Sequence, residues 1–180
     1  MITKKQVKIL MVKLNMGCGE DKREGYINID NRESCKPDMV YDLEKTPYPF
    51  EDESVEEILW KDSLEHLSWR VIEDVLKECY RILKPNGVMY IQTPDLEIIA
   101  KKIILDPNFK YGDLEGYKAI GFWVYGRQDP QPDGSFGGWG GFHKAGFTKQ
   151  TLKQLLESVG FKIEEIKNDD GSNIICWVRK

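Results

Sequence analysis

An α/β fold, with a mostly parallel sheet closed by a C-terminal antiparallel hairpin, is what the sequence predicts. Three observations carry that reading. Strand-like segments alternate with helix-like ones, a glycine turn follows the first strand directly, and two strand-like segments around a turn-forming run end the chain.

In chain order, Val12 to Met16 alternates Val12, Leu14 and Met16 with Lys13 and Asn15. Tyr26 to Asp30 sets Ile27 and Ile29 against Asn28 and Asp30, so each strand has one apolar face. The highly charged run from Gly17 to Gly25 leaves no room between them for the helix of about three turns that normally joins parallel strands. The first crossover helix is therefore expected to be reduced or missing. Central strands covered by helices on both sides are apolar on both faces, and these are not. One sheet face is expected to be thinly covered, with residues 97 to 125 or the second subunit of a homodimer as its cover.

Further strands are expected at Asp38 to Asp42, Val55 to Trp60 and Gly87 to Thr93. The last two flank a helix with Val71, Ile72, Val75, Leu76, Cys79, Ile82 and Leu83 on one stripe, capped by Ser68 and ended by Pro85, Asn86 and Gly87. A second helix runs from Thr148, its N-cap, to Val159, with Leu152, Leu155, Leu156 and Val159 at helical spacing and Gly160 as its stop. Phe161 to Lys167 and Asn173 to Arg179, joined by Asn168 to Ser172, suit an antiparallel hairpin.

At 180 residues with 41% hydrophobic side chains, the chain is expected to form a single domain over 1–180, with 108–147 as a substrate or lid segment. Its net charge of -4, with neither sign gathered into a block, argues against duplex nucleic acid as a partner. Cys18, Cys35, Cys79 and Cys176 lack CxxC spacing, which suits reduced thiols in the cytoplasm better than zinc or disulfides. The apolar run Ile9 to Val12 is too short for a secretory core, and no stretch is long enough for a membrane span.

Gly17-Cys18-Gly19 directly after the first strand lets a ligand approach the backbone at the carboxyl end of the sheet, although an ordinary tight turn has the same sequence. Asp30 ends the second strand, where a carboxylate accepts ribose hydroxyls or is simply solvated. A dinucleotide is disfavoured, because Lys22 holds the place of the third glycine of GxGxxG and Glu20 and Asp21 repel phosphates. The same acids suit an adenosine that carries a sulfonium and an ammonium group, which describes S-adenosylmethionine.

The run LNMGCG (14–19), GYINID (25–30), YDLEKTPYPFEDESVEEI (41–58), LEHL (64–67) and LKECYRILKPNG (76–87), resuming at HKAGFTKQTLKQLLESVGF (143–161), resembles the short, type-11-like class I methyltransferases, which have a Rossmann-like fold. The resemblance implies S-adenosylmethionine as cofactor. It implies that Gly17, Cys18 and Gly19 lie against the methionine part, that Asp30 holds the ribose, that Asp42 and Leu43 lie beside the adenine, and that Asp62 and Leu64 line the methionine side. Asn15 stands where that family has an acidic residue, which weakens the expected grip on the amino group.

The activity so implied is in-line transfer of a methyl group to a small-molecule acceptor, a step that needs no metal. The NPPY-like motif of amide and exocyclic-amine methylation is absent after the fourth strand, which favours an oxygen acceptor. If a base is needed, His143 ranks first, His66 second and Asp95 third; each histidine has an equal reading as a structural or surface residue. Phe122, Trp123, Tyr125, Phe136, Trp139 and Phe142 suggest a pocket cover or a satellite cluster, and the glycine-rich run from Gly134 reads as a loop that closes over the pocket. The alternative function is a non-catalytic module that binds the cofactor or its demethylated product as a partner or sensor.

Overall fold

The computed structural model describes residues 11–128, 141–169 and 171–180. Seven strands form one sheet: β1 (Val12–Met16), β2 (Ile27–Asp30), β3 (Met39–Val40), β4 (Val55–Lys61), β5 (Leu83–Pro94), β8 (Lys162–Asn168) and β9 (Asn173–Arg179). Their order is β3-β2-β1-β4-β5-β9-β8; the first five are parallel, and β9 runs antiparallel to both β5 and β8. Register lines up Leu14, Ile58, Met89 and Val178 in one row, all fully buried.

Two helices cover that row. The expected stripe of the first appears on α1 (Ile72–Ile82), where Ile72, Val75, Leu76, Cys79 and Ile82 are buried. Leu152 and Leu156 are buried on the later helix at Lys149–Val159, whose N-cap is Thr148, with its hydroxyl accepting the Thr151 N–H, and whose C-cap is Gly160 at φ 114. Ser68 does not cap α1: the N-cap is Val71 without a side-chain bond, because residues 68–71 form a separate turn closed by the Val71 N–H on the Ser68 carbonyl. Nor does the helix run as far as Pro85. It ends at Ile82, and Leu83 already pairs with Val55 as the first residue of β5, since the residue before a proline disfavours helical geometry.

No helix joins β1 to β2 among the described residues, as the charged run between them predicts. Buried amides brace this connection instead. Asn15 Nδ2 donates to the Asp21 carbonyl (2.8 Å) and to Asn28 Oδ1 (2.9 Å); Asn28 Oδ1 also accepts the Arg23 N–H (2.7 Å). On the same face of the sheet, Asn15, Leu59, Tyr90 and Trp177 stand in register, and a groove there is lined by Tyr26, Glu57, Leu59, Lys61, Tyr90 and Trp177. None of its lining comes from residues 97–125, so that segment is not the cover expected for this face.

Residues 97–125 lie elsewhere. α2 (Leu96–Leu105) is tied to the final hairpin turn by Lys102 Nζ on Ser172 Oγ (2.5 Å). A small hairpin follows, β6 (Lys110–Tyr111) with β7 (Leu114–Glu115), and then α3 (Tyr117–Tyr125). Tyr111 stacks on Phe122 at 4.9 Å and meets Trp123 edge-on at 4.8 Å, a satellite aromatic cluster. The helix at Lys149–Val159 is α4. All four cysteines are free and buried, and no helix among the described residues is long and apolar enough to cross a membrane.

Candidate active site

Strand order reverses between β1 and β4, and in such a sheet a crevice opens where the parallel strands end. Gly17 leaves β1 at φ 66, and a Cβ there would stand 2.6 Å from the Cβ of Ser63. Only glycine lets the turn after β1 lie this close to the turn after β4. The Ser63 hydroxyl fastens the two by donating to the Met16 carbonyl at 2.8 Å.

Gly19, at φ 49, donates its N–H to Asp30 Oδ2 at 2.8 Å. The other oxygen, Oδ1, accepts the Arg32 N–H (2.9 Å) and Arg32 Nε (3.2 Å). Asp30 Oδ2 thus keeps an acceptor site for a sugar hydroxyl, while Oδ1 is filled until the Arg32 side chain moves away. Cys18 is buried beside this carboxylate; burial first, and then the charge of Asp30, push its thiol up to about 11, so it packs as a neutral group.

Asn15 braces the loop through both of the bonds above rather than offering its amide to a ligand. Asp42 Oδ1 accepts the Glu44 N–H at 3.1 Å in the turn after β3, whereas Leu43 next to it is buried in the core. Asp62, at φ 51 after β4, has both carboxylate oxygens held by Gln92 Nε2 (3.0 and 2.9 Å). Leu64 is fully buried, and its side chain is part of the core cluster.

A 3-10 turn at Leu64–His66 follows Asp62 and Ser63. Its Glu65 carbonyl accepts the N–H groups of both Lys144 (2.8 Å) and Ala145 (3.1 Å), and Lys144 Nζ reaches Glu44 Oε1 at 2.7 Å. These bonds lay the segment carrying His143 across the turn carrying His66. Gly126 completes the seat: a Cβ there would come within 2.9 Å of the His143 ring. The histidine Nδ1 atoms meet backbone carbonyls, His66 that of Phe142 at 3.0 Å and His143 that of Trp123 at 3.2 Å. A carbonyl only accepts, so each Nδ1 carries the hydrogen and each Nε2 the lone pair. Burial lowers both pKa values; for His143, burial and then the neighbouring His66 bring it down to about 4.

Asp95, third in the expected ranking of bases, is fully buried. Its Oδ1 caps α2 by accepting the Glu97 N–H (2.9 Å) and its Oδ2 accepts Asn168 Nδ2 (2.8 Å), which is the work of a helix cap. Sequence reasoning passed over Glu65, which is only 2% exposed and accepts the Thr93 hydroxyl at 3.0 Å; burial pushes its carboxyl up to about 8. The signal was present, an acid between two core leucines in Leu64-Glu65-His66-Leu67. Of the glycine-rich run, residues 129–140, with Phe136 and Trp139, lie outside the described residues.

The methyltransferase-domain family matches residues 14–91, which hold the glycine turn, Asp30 and the turn after β4. No curated protein matches the sequence. Solved structures with the same fold include a SAM-dependent methyltransferase from Archaeoglobus fulgidus (TM-score 0.60, 19% identity, 94% of this chain and 86% of that one) and one from Methanosarcina mazei (0.60, 17%, 94% and 92%). A third is the 1,6-didemethyltoxoflavin-N1-methyltransferase of Burkholderia thailandensis, with 1,6-didemethyltoxoflavin and S-adenosylhomocysteine bound (0.56, 12%, 94% and 70%). At such identities the structures speak for the fold, and the matched segment for the cofactor end of the sheet. Over residues 14–91 the chain is similar to the methyltransferase-domain family, and its fold is that of SAM-dependent methyltransferases.

Proposed function

We propose that this chain methylates an oxygen of a small molecule held beside Glu65, His66 and His143. The observation that carries the reading is the pair of neutral imidazoles with fixed tautomers in contact with the turn after β4, the turn that also packs on Gly17. S-adenosylmethionine, when bound, supplies an electrophilic methyl group on a sulfonium. Asp30 would hold its ribose, the turn at Gly17 and Gly19 would lie against its methionine part, and the carboxylate of Asp62 would favour its positive charges. The Nε2 lone pair of His66 or of His143 accepts the single hydrogen of the acceptor hydroxyl and aims its oxygen. The oxygen forms the new bond to carbon as the carbon–sulfur bond breaks, and the hydroxyl proton leaves to solvent. At a pKa near 4, His143 orients better than it removes protons, which narrows the general-base role expected of it.

The test is transfer of labelled methyl to panels of hydroxyl and amine acceptors by the wild type, His66→Ala and His143→Ala. Transfer to hydroxyls that falls about 10²- to 10⁴-fold in either variant, with cofactor affinity kept, supports the reading. Transfer to amines only, or full activity in both variants, contradicts it. Cofactor binding without turnover on any acceptor points to the sensor module instead.

A further inference from the structure

We propose that Glu65, His66 and His143 form a site for one divalent first-row transition cation, deepening the oxygen-acceptor reading above. One potential ligand atom from each residue lies within 4.8 Å of the others. The donor set is two imidazoles and one carboxylate. Nitrogen donors favour transition ions over Mg²⁺ and Ca²⁺, which prefer oxygen, and three protein ligands leave positions open for a water or a substrate oxygen.

Three features separate this cluster from an ordinary buried polar group. Both histidines have their Nδ1–H fixed on a main-chain carbonyl, the outer contact that orients a metal-binding imidazole. Neither Nε2 has a partner among the described residues, so both lone pairs are available. Glu65 is a buried carboxyl whose side chain forms no ion pair with a lysine or arginine among the described residues. Burial favours the neutral form of Glu65 while no cation is near, and a cation bound between the carboxyl and the two imidazoles would supply the charge that stabilises its carboxylate form.

Metal–ligand bonds of about 2.0–2.2 Å put ligand atoms roughly 3.4 Å apart. The three side chains therefore have to close by about an ångström on binding. With the ion bound, the imidazole lone pairs hold the metal and the acceptor oxygen is aimed by the ion in place of the hydrogen bond, so the function of the ion follows from its charge. A hydroxyl bound to it loses its proton to water near neutral pH, so the acceptor meets the methyl group as an alkoxide or phenolate without a protein base of high pKa.

The test uses the full chain stripped by chelator, titrated with Zn²⁺ by calorimetry and with Co²⁺ by visible absorption. The expected result is one ion per chain and Co²⁺ d–d bands of a nitrogen- and oxygen-ligated site. His66→Ala and His143→Ala should each weaken Zn²⁺ at least about tenfold. Glu65→Gln, which keeps the shape of the side chain, should do the same while circular dichroism and S-adenosylhomocysteine affinity stay unchanged. Wild type and all three variants binding Zn²⁺ equally, or a thiolate charge-transfer band with Co²⁺, would overturn the site. The readout needs no acceptor. Metal binding without hydroxyl methylation defeats the oxygen-acceptor reading and leaves the site standing; methylation that persists in a chain shown to bind no metal defeats the site and leaves that reading standing.

Discussion

His66 and His143, far apart in the sequence, stand with ring centroids 5.1 Å apart and planes inclined at 59°. The contact is set by main-chain bonds, since the two N–H groups after His143 converge on the carbonyl before His66. Its geometry therefore depends on Glu44 and Gly126 as well as on the rings.

Glu44 gives that seat a pH dependence. Burial alone would raise its carboxyl, but the Lys144 ammonium and the Ser68 N–H outweigh this and hold it below the usual glutamate value. Because the folded pKa is depressed, the contribution is complete above the ordinary value of 4.5 and is lost as pH falls through the folded value. Glu44→Gln should lower Tm above pH 5 and converge on the wild type as pH falls through the depressed folded value. A Tm difference independent of pH would remove the ion pair from the account.

Asn15 explains a departure from the acidic residue expected at its position. Both of its donated bonds end on oxygens, the Asp21 carbonyl and Asn28 Oδ1, in a buried place. Asn15→Asp replaces two donors by acceptors and should cost about 2–4 kcal/mol in denaturant unfolding. A neutral result would mean that the loop between β1 and β2 is held by other contacts.

These two residues also mark what was legible in the sequence. Alternation in β1 and β2 and the helical stripes of α1 and α4 could be read because each element buries one face against a single core. The lack of a crossover helix followed from the charged run after Gly17. The amide bracing that replaces the helix was illegible, since an asparagine in a strand gives no sign of its partner. In the same way Asp95 has the residue type of a base, and only its two hydrogen bonds show it to be a helix cap. The proximity of His143 to His66 depends on a long-range crossing that no local pattern encodes.

Asp30 and Arg32 should separate in their effects on the cofactor. Asp30→Ala should weaken S-adenosylhomocysteine by about 1–3 kcal/mol, through loss of charge-assisted bonds to the ribose. Arg32→Ala removes the side-chain bond to Oδ1 while keeping the main-chain one, and should leave affinity unchanged or improve it. Calorimetry that shows equal losses in both would mean that the arginine binds the cofactor rather than occupying its place.

The central claim, a cofactor site for S-adenosylmethionine at the carboxyl end of β1 and β2, is tested most directly by thermal unfolding of the full chain with ligands. At about one hundred times Kd, S-adenosylmethionine and S-adenosylhomocysteine should each stabilise by about 2.7 kcal/mol and raise Tm by roughly 5–10 °C, while NAD and ATP leave it unchanged. A shift with NAD or ATP and none with either sulfur compound would contradict the account.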